Sequence, residues 1–307
     1  VKRNRPQPGE SLWIDAPGAA EAVRRRTDDP VLQQAASEFI EKGYAVLPES
    51  VPGEHCDAAV EAFHGWCAGR PDEVEPFRDA HGHLPRLVNF HLADDAFAAL
   101  FFENKPALAL QDFLFGYPSS LYTSLFFERG TQQPVHRDAP YFCTHPQNFY
   151  FGMWVALEDT DAENGALFLV EGGHRIGEID PAEVSAERRA RGEPLGATDL
   201  ELWQGYQDRV EAHYRERGLT GKRVTLRKGD TLIWHPLLPH GGEAISDLSR
   251  TRFSAVFHTT PEHVPVYQGD VFFDPDARPS PDPTWKYRLQ GGRLVADHPG
   301  GWSFQTS

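Results

Sequence analysis

Cysteine is scarce: three in 307 residues, Cys56, Cys67 and Cys143, with no Cys-x-x-Cys pair among them. That excludes a disulfide framework and fits a reducing compartment. No apolar run reaches the length of a membrane span. The leading Val1-Lys2-Arg3-Asn4-Arg5-Pro6 has no signal-peptide apolar region, so a cytoplasmic location is the expectation. Positive charge is also short: 30 Lys and Arg stand against 45 Asp and Glu, a net charge of −15 with pI near 5.3. No basic face for nucleic acid is expected, and the run Arg24-Arg25-Arg26 reads as solvated charge. What the chain does have is 40% hydrophobic content, enough for a sizeable core, and 25 prolines with 27 glycines, which point to many turns.

Residues 1–29 are polar and read as a loosely held arm before a single domain over 30–307. Apolar positions Val31, Leu32, Ala35, Ala36, Phe39 and Ile40 repeat at helical spacing, with Gly43 where a helix ends and a short strand over 44–47 after it. Further helix is expected over 53–67 and between 95 and 115, interrupted near Asn104-Lys105-Pro106, with strand-like residues 86–91 between. The part 30–118 is therefore mostly helical. From Ser119 the texture changes. Residues 120–128, 149–157, 166–170, 223–226, 231–234 and 252–258 are short segments rich in β-branched and aromatic residues, bounded by turns such as Glu163-Asn164-Gly165 and Lys228-Gly229-Asp230. Short strands in series predict a sandwich or jelly roll over 119–260. A charged, helical insertion over 177–221 interrupts it, and inserts of this length are more often functional, such as a lid, than idle. The tail 261–307 keeps Trp285, Tyr287 and Trp302, which predicts that it packs on the body.

The chemistry centres on Gln133-Pro134-Val135-His136-Arg137-Asp138. In extended backbone, side chains two apart point the same way, so His136 and Asp138 can grip one metal ion. Alone this pair is a weak signal. Downstream, the strand over 231–234 leads into Leu238-Pro239-His240-Gly241, a turn that presents a third ligand. About a dozen residues on, Arg250 and Arg252 open another strand. Two histidines, one carboxylate and a following arginine match the facial triad of non-haem Fe(II) oxygenases, which leaves three positions open for a keto acid and dioxygen. An arginine suits a bidentate grip on the far carboxylate of 2-oxoglutarate.

Over 121–260 the chain resembles the phytanoyl-CoA dioxygenase (PhyH) family of Fe(II)/2-oxoglutarate oxygenases. The resemblance rests on Gln133–Asp138, Trp154–Asp159, Glu163–Leu167, Gly172-Gly173-His174-Arg175, Gly229–Gly241 and Arg252–His258 together. It implies a mainly β fold with flanking helices, whose core is a double-stranded β-helix (a cupin-like jelly roll). It implies that His136, Asp138 and His240 hold Fe(II), and that 2-oxoglutarate and dioxygen are co-substrates. The implied activity is oxidation of an unactivated C–H bond of a small molecule, with release of succinate and carbon dioxide. Both Arg250 and Arg252 lie within reach of the co-substrate. Alternation puts Arg252, Ser254, Val256 and His258 on one face, which favours Arg252, with Ser254 beside it. Gln133 is a further candidate near the metal or co-substrate. An aspartate at 138 points to hydroxylation rather than halogenation, and the acidic surface favours a small polar or natural-product substrate over an acyl-CoA.

The same residues admit rival readings. A protein-kinase catalytic loop also begins His-Arg-Asp, but Cys143 stands where its asparagine belongs and no Gly-rich phosphate loop is present. A hydrolytic zinc site lacks a glutamate base nearby. A jelly-roll binding protein without oxygenase activity keeps the fold and is the surviving alternative. His235, five before His240, falls on the other side of its strand and reads as structural. His145, His174 and His258 are open between a site role and a structural one. Trp154 and Phe149 are candidates for the pocket wall, and Arg137 and Arg175 for contact with an anionic substrate or for surface ion pairs.

Overall fold

The computed structural model describes residues 6–7, 9–279 and 285–305. Helix α1 (Ala19–Arg26) is followed by α2 (Pro30–Lys42), β1 (Tyr44–Leu47), α3 (Gly53–Ala68), a single turn α4 (Pro71–Val74) and β2 (Arg86–Val88). Then come α5 (Asp95–Phe102), α6 (Lys105–Phe115), β3 (Ser119–Phe127), β4 (Cys143–Thr144), β5 (Phe151–Ala156) and β6 (Leu167–Leu169). Helices α7 (Pro181–Ala190) and α8 (Leu200–Glu216) precede β7 (Lys222–Val224), β8 (Thr231–Trp234), β9 (His240–Gly242) and β10 (Ser254–Pro261). The chain ends with β11 (Val266–Tyr267), α9 (Gly269–Phe272), β12 (Tyr287–Gln290), β13 (Arg293–Ala296) and β14 (Ser303–Gln305).

Two sheets face each other in a jelly roll. The large sheet runs β1-β8-β5-β10-β3-β13-β12, with β2 and β14 joined at β3; the small sheet is β7-β6-β9. Strand β10 is central, antiparallel to β3 (Ser254 opposite Phe127) and to β5 (Ser254 opposite Ala156). Its side chains alternate as a strand buried on both faces must. Ala255 and Phe257 enter the core shared with α2, α3, α5 and α6, whereas Val256 enters the second core between the sheets. That second core also takes Trp154 and Trp234 from the large sheet and Leu169 from the small one.

Local chemistry sets the helix ends that the sequence marks. Asp29 accepts from the Val31 and Leu32 amides, Pro30 opens α2, and Gly43 closes it at φ 86°. A Cβ on Gly43 would also fall 2.5 Å from His174 Nδ1, so the site needs glycine for space as well as for conformation. The break expected near Asn104 is a cap: its side chain accepts from the Ala107 amide (3.2 Å) and donates to Thr231 Oγ1 (2.8 Å), which ties α6 to β8.

Two expectations need correcting. The stretch 1–29 is not a loose arm from Leu12 on, although residues 1–5 and 8 lie outside the described residues. Leu12, Ile14, Ala19 and Val23 are buried, and Trp13 donates to the Phe113 carbonyl (3.0 Å) while its ring meets Phe113 edge-on. Four apolar contacts spread over twelve residues are too sparse a pattern to read as a helix face. The segment after Asn89 is a 3₁₀ turn, not a longer strand, because Asn89 sits at φ 58°. The tail packs on the body as expected: β13 joins β3 at Leu121, β14 pairs with β2, and Trp302 meets Trp66 edge-on at 4.6 Å. Among the described residues, no helix is long and apolar enough to cross a membrane.

Candidate metal centre

The two distant histidines are brought together by backbone. His136 and His240 form an antiparallel bridge, each amide donating to the other's carbonyl (2.8 and 2.9 Å), and their rings stand 4.6 Å apart. In both, Nδ1 lies at hydrogen-bond distance from the carbonyl two residues back: Pro134 at 2.8 Å and Leu238 at 2.9 Å. A carbonyl can only accept, so Nδ1 carries the proton and each Nε2 keeps a lone pair. Those Nε2 atoms face Asp138, at 3.5 Å from Oδ1 for His136 and 3.6 Å from Oδ2 for His240. The three ligand atoms all lie within 4.8 Å of one another, the only such cluster among the described residues. Burial alone would raise the Asp138 pKa, but any proton held on His240 or His136 pulls it well below the usual carboxylate range, so Asp138 stays ionised. Burial pushes His240 down against the pull of Asp138. Three electron-pair donors thus converge in a buried place with no proton between them. A divalent cation fits that donor set.

The carboxylate is held from behind. Trp234 Nε1 and the Tyr150 hydroxyl each donate to Asp138 Oδ2 at 3.1 Å. The Tyr150 oxygen makes a close hydrogen bond with His258 Nδ1. Burial pushes His258 down to about 4, so it is neutral and its Nδ1–H serves as the donor to Tyr150. Trp234 can reach Asp138 because Gly152 lies opposite it: a Cβ there would sit 1.9 Å from the indole ring. A glycine in mid-strand here gives room for a ring, not for a bend.

The two arginines lie in different surroundings. Arg250 is spent at the surface on Asp161 (2.8 Å) and Glu163 (3.2 Å). Arg252 is 3% exposed and lies 5.5 Å over the Trp154 ring, and among the described residues its side chain makes one hydrogen bond, Nη1 to the Gly165 carbonyl (2.7 Å). Among the described residues its Nε has no partner, nor has the buried Ser254 Oγ on the same strand face. Burial pushes the Arg252 guanidinium down to about 10, with Glu158 the only charge opposing the shift. A buried cation with unspent donors next to an unspent hydroxyl is a cradle for a carboxylate.

Other expected residues land elsewhere. Gln133 lines an outer groove with Val135, Phe168 and Arg223, a groove that contains none of His136, Asp138 and His240. Odd spacing from His136 is the reason. Phe149 points into the helix-side core, whereas Tyr150, Gly152 and Trp154 face inward. His235 lies 3.2 Å from Asp15, and His174 Nε2 lies 3.2 Å from the Ile40 carbonyl. His145 lies against Tyr267. Arg137 is no surface residue: fully buried, it donates to the Gly173 carbonyl at 3.0 Å. Arg175 donates to the Ile40 carbonyl. Sequence reasoning missed Tyr150 and Trp234, which alternation along β5 and β8 already placed on the inner face. It also missed Arg86, whose guanidinium is pulled down by burial and held up by Asp138 and Tyr141, with Nε unpartnered. From α8 come Trp203, 6.0 Å from the His136 ring and stacked on Tyr141, and Gln207.

Comparison with known proteins bears on the fold and the family. The chain is 29% identical over 116 residues to the peroxisomal phytanoyl-CoA dioxygenase of Mus musculus, a match that takes in 37% of this chain but only 29% of the mouse protein. The epimerase SnoN, crystallised with Fe3+, alpha ketoglutarate and nogalamycin RO, superposes with a TM-score of 0.60 at 22% identity, over 87% of this chain and 99% of that one. The carbocyclase SnoK from nogalamycin biosynthesis gives 0.55 at 16% identity, over 85% of this chain and 90% of that one. At such identities these likenesses speak for the fold. A sequence model of the phytanoyl-CoA dioxygenase (PhyH) family matches residues 39–252, most of the chain. The chain belongs to the phytanoyl-CoA dioxygenase family.

Proposed function

We propose that the protein is an Fe(II)/2-oxoglutarate-dependent dioxygenase that hydroxylates an unactivated C–H bond of a small molecule. One dioxygen and one 2-oxoglutarate are used for each substrate, giving hydroxylated product, succinate and carbon dioxide. The observation that carries the reading is the convergence of His136 Nε2, His240 Nε2 and the Asp138 carboxylate, with both imidazole protons spent on backbone carbonyls. Bound there, iron would supply the activation of dioxygen.

The chain's own residues do the rest. His136, Asp138 and His240 would hold the metal, and Tyr150 and Trp234 keep the carboxylate from rotating. Arg252, with Ser254 beside it and Trp154 beneath, would take the far carboxylate of 2-oxoglutarate, a buried ion pair that the cradle otherwise lacks. Trp203 borders His136 with Tyr141 stacked on it, and the two help to keep water from the metal site. Arg86 adds a cation facing Asp138, open to an anionic group of co-substrate or substrate. A small polar or natural-product substrate suits the reading, given that SnoN was crystallised with nogalamycin RO. Hydroxylation is the simplest outcome for an intact carboxylate triad, although SnoN and SnoK are described as an epimerase and a carbocyclase. The test is succinate formation from 2-oxoglutarate across a metabolite panel. It should require Fe(II) and dioxygen and vanish in His136→Ala. Absence of stoichiometric metal, with Arg252→Ala no different from wild type, would overturn the proposal in favour of a binding protein.

A further inference from the structure

The insertion over 177–221 does more than cover the site. Its helix α8 carries Trp203, Tyr206 and Gln207, spaced three and four apart and so on one face. All three turn to the segment 136–141. Trp203 meets the rings of His136 and Tyr141, and the Tyr206 hydroxyl is beside the Arg137 guanidinium. The decisive contact is Gln207. Its Oε1 accepts from the Arg137 amide (2.9 Å) and its Nε2 donates to the Arg137 carbonyl (3.0 Å). Arg137 is the residue between His136 and Asp138. A side-chain amide that takes both backbone groups of one residue acts as a strand partner for that residue alone.

We infer that Gln207 is a positioning residue that fixes the spacing of His136 and Asp138, so that the insertion sets the geometry of the metal centre. This rests on the metal reading above. The physical case is that a residue beyond β9's bridge has no other ladder. His136 is paired by the bridge to His240, but the Arg137 amide and carbonyl would be buried without partners were Gln207 absent. Gln207 is itself 3% exposed, held in place by the apolar cluster of Leu202, Tyr206 and Val210 with Ile176 and Phe273. Rotation about the Arg137 backbone would swing the Asp138 carboxylate relative to the His136 ring. The clamp removes that freedom.

The experiment uses the full chain and Co(II) as the probe, with its visible spectrum as a report on ligand geometry. Gln207→Met keeps the length of the side chain and removes both hydrogen bonds. It should weaken Co(II) binding by about 10- to 100-fold, the range for residues that orient metal ligands, and alter the Co(II) absorption bands. Ile179→Ala loosens the same insertion without touching the clamp. It should lower the melting temperature of the metal-free chain yet leave Co(II) affinity and bands as in wild type. Should Gln207→Met fail to fold, Gln207→Glu retains the bond from the Arg137 amide, loses the one to its carbonyl, and should show the same spectral change. Wild-type Co(II) affinity and bands in the Gln207 variants would overturn the inference, as would equal Co(II) effects in Ile179→Ala. A wild-type chain that binds no Co(II) would overturn the metal reading itself, and this inference with it; the two failures are distinct.

Discussion

Replacing Arg252 by methionine separates stability from co-substrate binding. The guanidinium is 3% exposed and burial pushes it down to about 10 from an ordinary 12.5. At 1.36 kcal/mol per pKa unit, holding that charge in place costs about 3 kcal/mol. Against this stand one charged hydrogen bond to Gly165, about 1.5–3 kcal/mol, and the Trp154 ring, about 0.5–2 kcal/mol. The two sides nearly cancel. Arg252→Met should therefore melt within a few degrees of wild type when 2-oxoglutarate is absent. A buried charge-pair deletion, however, costs about 2–5 kcal/mol in binding, so 2-oxoglutarate affinity should fall by 30-fold or more. Thermal melts with Mn(II), with and without 2-oxoglutarate, read both quantities. Wild type should gain melting temperature with the co-substrate, and Arg252→Met should gain little. Undiminished stabilisation by 2-oxoglutarate in Arg252→Met, or its loss in Arg250→Met instead, would refute the reasoning.

Three further outcomes follow from the geometry. Tyr150→Phe removes one of two donors to Asp138 Oδ2 and strands His258 Nδ1; about 1–3 kcal/mol of stability should be lost, seen in urea melts, along with metal affinity, and an unchanged pair of values would count against the buttress. Gly152→Ala puts a methyl within 1.9 Å of the Trp234 ring. Overpacking of that kind costs about 1–3 kcal/mol, and the displaced indole should release Asp138, so metal affinity falls too; a wild-type melt would contradict it. Acid should destabilise the metal-free chain. Burial holds His91 and His174 down to about 3 and His258 to about 4, against an ordinary 6.5. These groups stay neutral in the fold and take up protons on unfolding. Their contribution is therefore intact above pH 6.5 and is lost as pH falls from 6.5 towards 3, by up to about 1.4 kcal/mol per unit for each histidine. Melting temperatures measured from pH 8 to pH 5 should drop steeply below 6.5; a flat profile would contradict the burial argument.

The triad was legible in the sequence because each member has a backbone reason to be where it is. Period two puts His136 and Asp138 on one side, and a strand-end turn presents His240. Arg252 over Arg250 followed from alternation with Ser254, Val256 and His258; along that strand Val256 enters the core between the sheets, and Ala255 and Phe257 enter the helix-side core. The same rule, applied to Gln133 at odd spacing, argues against its candidacy. Applied along β5, it would have named Tyr150 in place of Phe149. Arg86 and Gln207 were beyond reach for a different reason: each arrives from an element whose placement depends on tertiary packing, β2 at the edge of β3 and α8 in the insertion. The packed stretch from Leu12 to Val23 was hidden likewise, since its apolar residues match the body and not one another.

The most direct test of the account is an anaerobic titration of the full chain with Fe(II) and 2-oxoglutarate, followed by visible absorption. A keto acid chelated to Fe(II) gives a charge-transfer band that neither component gives alone. The account requires that band at one equivalent of each in wild type, its disappearance in His136→Ala, and a much higher 2-oxoglutarate requirement in Arg252→Met. A wild-type chain that gives no band at saturating Fe(II) and 2-oxoglutarate would contradict it.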